Sequence, residues 1–166
     1  KDYRGDTSPR DAIGWGRIGR YTNNSGRNDI ISTKVCYDNE KMYFMVECAE
    51  PITTPEDFWM TLYLSTGSDK NWEGFDYAIN RHKGALERSQ GGWNWEKIAD
   101  IKYHVTGNAM EMEIPLNQIG ITSADKFTID FKWVDNSCRT GDIKECMDKG
   151  DSAPDSRFKY RYRFAK

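Results

Sequence analysis

Residues 41–66 read KMYFMVECAEPITTPEDFWMTLYLST, and the fold class follows from how that stretch is patterned. Two runs, 42–48 and 58–64, are rich in aromatic and branched residues and are separated by a break holding two prolines. Such runs bounded by turn residues are strand signals, and two in succession point to a β-sheet core. Side chains alternate along a strand, so Met42, Phe44, Val46 and Cys48 share one face of the first run. Phe58, Met60, Leu62 and Leu64 share one face of the second. The opposite faces carry Tyr43, Met45 and Glu47, then Trp59, Thr61 and Tyr63. A sheet with one apolar and one amphipathic face is half of a sandwich.

Outward from this stretch, strands follow at short intervals. Residues 29–37 turn at Asp38-Asn39-Glu40 into 41–48. A strand over 58–65 is followed by one over 75–82, with Phe75, Tyr77 and Ile79 on one face. Residues 84–89 and 92–97 join at Gln90-Gly91-Gly92, and 101–106 and 109–114 join across Gly107-Asn108. Residues 115–120 are the sole helix candidate, one turn opened by Pro115 and closed by Gly120. In 126–134, Phe127, Ile129, Phe131 and Trp133 alternate inward against Thr128, Asp130 and Lys132. A last strand, 157–164, places Phe158, Tyr160, Tyr162 and Phe164 on one side. About ten short strands and almost no helix predict a single antiparallel all-β sandwich. Residues 29–166 form that domain. Residues 1–28 show no period and read as an irregular segment packed on it through Tyr3, Trp15 and Tyr21.

The chain has 166 residues, enough for one core. Its net charge of −2, with acids and bases interspersed, gives no footprint for nucleic acid. No apolar run approaches the roughly 20 residues that span a bilayer, and the polar opening KDYRGDTSPRD is not a signal peptide. Cys138 and Cys146 flank a loop, CRTGDIKEC, short enough for a disulfide, an alternative left open. If Tyr37 pairs with Met42, Cys36 and Cys48 face opposite sides of one hairpin and cannot bond, so both are expected to be buried thiols.

Gly14-Trp-Gly16-Arg-Ile-Gly19 spells G-x-G-x-x-G, but no strand precedes it and no helix follows, so a dinucleotide site is not expected. Asn23-Asn24-Ser25 is a glycosylation sequon. Asp69, Asn71, Glu73 and Asp76 set oxygen ligands at alternate positions around Gly74, as in half of a calcium loop; the alternative is a solvated turn, and calcium is the one metal worth naming. Catalysis finds little support: the two histidines, His82 and His104, are read as facing outward, and no nucleophile–base pair can be placed.

Six tryptophans are the sharper feature. Trp133 alternates with Phe131 and belongs to the core. Trp72, Trp93 and Trp95 lie in Gly-rich, polar surroundings, a composition suited to sugars, whose C–H faces stack on indole while planar polar groups bond the hydroxyls. Arg81, Asn80 and Glu47 are candidate polar contacts, with Trp59 a further aromatic one. The alternative is that these rings plug the sheet ends.

The order of motifs VCYDNEKMYFMVE, DFWMTLYLST, WEGFDYAIN, MEMEIPLNQIG and FTIDFKWVDN resembles the family-9 carbohydrate-binding module and its DOMON-like relatives, over residues 29–135. Shared features are the D-x-x-x-LYF-x-VE hairpin, a YLD-type strand, a strand ending in Asn, and E-x-x-IP-x-x-x-LG before the penultimate strand. This chain departs in starting later than the family's opening strands, and in having Ser65 where an acid often ends the YLD strand. By motif order, Trp72 and either Trp93 or Trp95 are nearest to the family's stacking pair. The resemblance implies a non-catalytic module attached to a secreted bacterial glycoside hydrolase, hence an extracytoplasmic polysaccharide setting. A module that only packs on the catalytic domain of its parent chain is the alternative.

Overall fold

The computed structural model describes residues 1–7, 10–13 and 19–165. Its strands, in order, are β1 (Arg10–Ile13), β2 (Arg20–Asn23), β3 (Ile30–Tyr37), β4 (Lys41–Cys48), β5 (Thr61–Ser65), β6 (Tyr77–Ile79) and β7 (Ala85–Gly91). They continue as β8 (Asn94–Asp100), β9 (Lys102–Thr106), β10 (Ala109–Pro115), β11 (Lys126–Asp135), β12 (Asp151–Ala153) and β13 (Tyr160–Ala165). One sheet runs β3-β4-β10-β9; the other runs β12-β11-β5-β6-β7-β8, with β13 also on β11, and all pairings are antiparallel. Between the two sheets lies one apolar core, in which Phe44 of the first meets Phe131 of the second at 5.4 Å between ring centroids. The protein is an antiparallel all-β sandwich, as its pattern of short strands requires. No helix of the described residues is long and apolar enough to cross a membrane.

Alternation places the core. Met42, Phe44, Val46 and Cys48 are fully buried, as are Ile129 and Trp133, with Phe127 and Phe131 nearly so. Burying each such side chain is worth about 1.5–3 kcal/mol. The helical turn forms over Leu116–Ile119, and Gly120 closes it at φ 74°, a left-handed cap that a side chain would strain.

The pattern misleads in several places. Phe58 and Met60 adopt positive φ (58° and 39°), so the strand begins at Thr61 and not at 58. That kink sends Trp59 into the main core, where it is fully buried, and leaves Phe58 half-buried at its margin. Phe75 likewise leaves the face of Tyr77 and Ile79 and joins a second cluster on the outside of the larger sheet. Lys132 does face outward on β11, yet it is buried, its Nζ donating to Ser152 Oγ at 3.2 Å and to the Pro154 carbonyl. Burial holds its pKa below the ordinary lysine value.

Cys36 is exposed, because Tyr37 does pair with Met42 and so turns Cys36 to the solvent side beside Tyr43, while Cys48 points inward. The N-terminal stretch is not irregular throughout: β1 and β2 pair from Arg10↔Asn23 to Ile13↔Arg20. Their described side chains are mostly exposed, so the ladder has no buried face to impose a period of two. Tyr3 is 77% exposed and anchors nothing, and Phe158 points to solvent ahead of β13. Trp15, the G-x-G run and the side chain of Tyr21 lie outside the described residues. The sequon Asn23 is buried, with its amide donating to Thr7 and its oxygen accepting from Ser25, so it offers no free amide to a glycan.

Candidate functional site

The structure brings Trp72, Trp93, Trp95 and Arg81 together, but as a small second core. Tyr63, on the outward face of β5, starts it; Trp72 stacks at 5.0 Å and Trp93 meets Trp72 at 4.6 Å, with Trp95 5.8 Å from Trp93. The segment from Cys138 to Cys146 closes over them, adding Ile143. Trp72 is 4% exposed and its Nε1–H donates to the Gly141 carbonyl at 2.9 Å. Gly141, at φ 86°, lies so close to Trp93 that a Cβ there would be 2.4 Å from its Cγ. Trp93 and Trp95 remain half-buried. Arg81 lies 5.3 Å over Trp93 and 6.0 Å over Trp95, and its guanidinium is held in a fork by Glu87 at 3.0 and 2.5 Å.

The other expected contacts separate from that cluster. Asn80 is fully buried at φ 64°, donating to the Trp59 carbonyl at 2.8 Å and accepting from Gly84 N–H at 2.9 Å. Trp59 packs edge-on to Tyr103 within the main core. Glu47 stands on the other sheet. No sequence period marks the closing loop, since Cys138, Ile143 and Cys146 are isolated apolar residues among polar ones.

The Asp69–Asp76 loop uses most of its oxygens on itself. Asp76 is buried and accepts from Thr66 N–H, Thr66 Oγ1 and Ser68 N–H at 2.8 to 3.1 Å. Asn71 Oδ1 accepts from Gly74 N–H at 2.9 Å, while Asp69 and Glu73 face solvent. These acids do not gather; the acids that do lie elsewhere. Asp2, Asp6 and Asp155, and Asp6, Asp29 and Asp151, form two overlapping triads with carboxylate oxygens within 4.8 Å of one another. They come from distant parts of the chain, so no local motif announces them. Burial, with Asp6 and Asp2 nearby, pushes Asp151 up to about 8, and burial with Asp155 pushes Asp2 up to about 6.

An open concavity lies on the outward face of the four-stranded sheet. Strand register sets its rows: Cys36–Tyr43–Glu113–Lys102, then Lys34–Met45–Glu111–His104, with Glu47 in the next row beside Ser32 and Ala109. It encloses about 660 Å³ and is floored by Tyr43 and Met45. Tyr43 is steadied by donating its hydroxyl to Asp38 Oδ2 at 2.7 Å. Glu113 accepts from Lys41 Nζ at 2.9 Å and lies 3.5 Å from Lys102; the Lys41 bond holds its carboxyl below the usual range. A flat ring, a thioether and both signs of charge therefore surround a shallow trough. The sequence placed Tyr43, Met45 and Glu47 on this outward face, but nothing local marks Lys102, His104 and Glu111 as joining them across β10 and β9. No family model, curated protein or solved structure matches this chain.

Proposed function

We propose that the chain is a non-catalytic carbohydrate-binding module that takes a glycan across the outward face of the four-stranded sheet. The observation that carries this is the trough itself: Tyr43 offers a ring to a sugar face, and Lys34, His104, Glu111 and Glu113 line it with donors and acceptors. A glycosidase acid needs a raised pKa, whereas Glu113 is held low by its lysine. The motif resemblance supports the same class, with a polysaccharide partner in an extracytoplasmic setting and a site moved off the tryptophans. Glycan-array screening of the chain, followed by titration of Tyr43→Ala, tests it. Tyr43→Ala is expected to lose roughly tenfold or more in affinity with little change in melting temperature.

The enclosure of Trp72 favours a second reading, in which the module packs on the catalytic domain of its parent chain and binds no sugar. An apolar floor inside a charged rim also fits a protein neighbour. An empty array, together with a trough that becomes protected when the catalytic domain is attached, selects that reading.

A further inference from the structure

Cys138 and Cys146 end the loop that closes the second core, and both are buried. Their Sγ atoms are in direct contact at 2.7 Å, and Ser137 Oγ approaches Cys138 Sγ at 3.6 Å. The loop between them is held in shape without any cross-link. Glu145 accepts from the amides of Arg139 and Thr140 at 2.7 and 3.0 Å and from Lys149 Nζ at 2.6 Å. Trp72 ties Gly141 down from the other side. The two thiols are thus brought together by bonds that do not involve sulfur. The remaining pair is not so placed, since Cys36 and Cys48 occupy opposite faces of one hairpin.

We propose that Cys138 and Cys146 are a modification site, joined as an intramolecular disulfide that clasps the loop over Tyr63 and Trp72. The oxidant is a small disulfide such as oxidised glutathione. The Cys146 thiolate attacks one of its sulfurs and expels a small thiolate, giving a mixed disulfide. The Cys138 thiolate then attacks the Cys146 sulfur and expels the second small thiolate. Two protein thiols lose their protons and two electrons, and one disulfide becomes two small thiols. Both thiols are buried once the loop has closed, so the exchange takes place as the chain folds.

The test uses the full chain refolded in a mixture of reduced and oxidised glutathione, then alkylated in guanidinium without reductant. Of the four cysteines, Cys36 and Cys48 are expected to be alkylated, and digestion should release a cross-linked peptide pair containing Cys138 and Cys146. Dithiothreitol should lower the melting temperature of this wild-type chain by about 5 °C or more, and should leave that of the Cys138→Ser/Cys146→Ser variant unchanged. Alkylation of all four cysteines, or a cross-link to Cys36 or Cys48, overturns the assignment. The alkylation pattern is read on the wild-type chain, so it decides the pairing even where the double variant fails to fold.

Discussion

Asn80 sits at φ 64°, in a region that side-chain-bearing residues avoid and asparagine tolerates, and its amide is shared between the Trp59 carbonyl and the Gly84 N–H. Replacing it by alanine leaves both backbone groups without this partner and keeps the strained angle. Asn80→Ala is therefore expected to cost about 2–4 kcal/mol, read as a shift of the urea midpoint. Asp76 and its neighbours allow a sharper contrast. Asp76→Ala removes the acceptor of three donors from residues 66–68 and should cost about 1–3 kcal/mol. Asp69→Asn and Glu73→Gln touch solvent only and should stay within about 0.5 kcal/mol of the wild type, with or without calcium. A calcium-dependent loss in either exposed variant would restore the loop as an ion site. Sequence showed these residues to be polar and near turns, which describes a ligand contact and a turn cap equally well. Burial separates the two roles, and burial here depends on residues far along the chain.

Within single elements, alternation was legible wherever a strand has one dry face. The runs from Met42 to Cys48 and from Phe127 to Trp133 could be assigned face by face, and the hairpin turns at Asp38 and Gly107 followed from their residues. Alternation failed at Phe58 and Trp59, where left-handed angles at 58 and 60 bring Trp59 into the core beside Met60, and at Phe75, which follows the Trp72 bridge and not the strand. The loop from Cys138 to Cys146 was illegible for another reason: it is a lid made of polar residues held by Glu145, and only three apolar side chains reach down. Because it turns Trp72 into a core residue, Trp72→Ala should cost about 3–5 kcal/mol, a magnitude shared with Trp133→Ala. Gly141→Ala must move the loop off Trp93 while holding φ at 86°, and about 1–3 kcal/mol of destabilisation is expected in chemical denaturation. If Trp72→Ala melts with the wild type, the second core is not a core.

Across the molecule, the acids gathered from the N-terminal segment, Asp29 and residues 151–155 make stability depend on pH. Asp151 and Asp2 hold their protons to about 8 and about 6, above the unfolded value of 3.8, so between these limits the folded chain binds more protons than the unfolded one. Their contribution is fully present below pH 3.8 and is lost as pH rises towards 8. Asp130, lowered by its bond to Arg161, and Asp38, lowered by the Glu40 amide, act in the opposite sense and lose their contribution at low pH. A stability maximum at about pH 5 follows, with the melting temperature at about pH 8 lower by about 3 °C or more. Asp151→Asn should flatten that slope, and a melting temperature that rises over the same interval would rule it out. Whether a glycan lies on the four-stranded sheet or on the tryptophans is decided most directly by nuclear magnetic resonance on the isotope-labelled chain, titrated with the glycan that binds best on the array. Shifts are expected at the amides of Lys34, Cys36, Tyr43, Met45, His104 and Glu111, with the indole N–H signals of Trp72, Trp93 and Trp95 unmoved. Movement of those indole signals while the sheet face stays still would overturn the assignment of the trough.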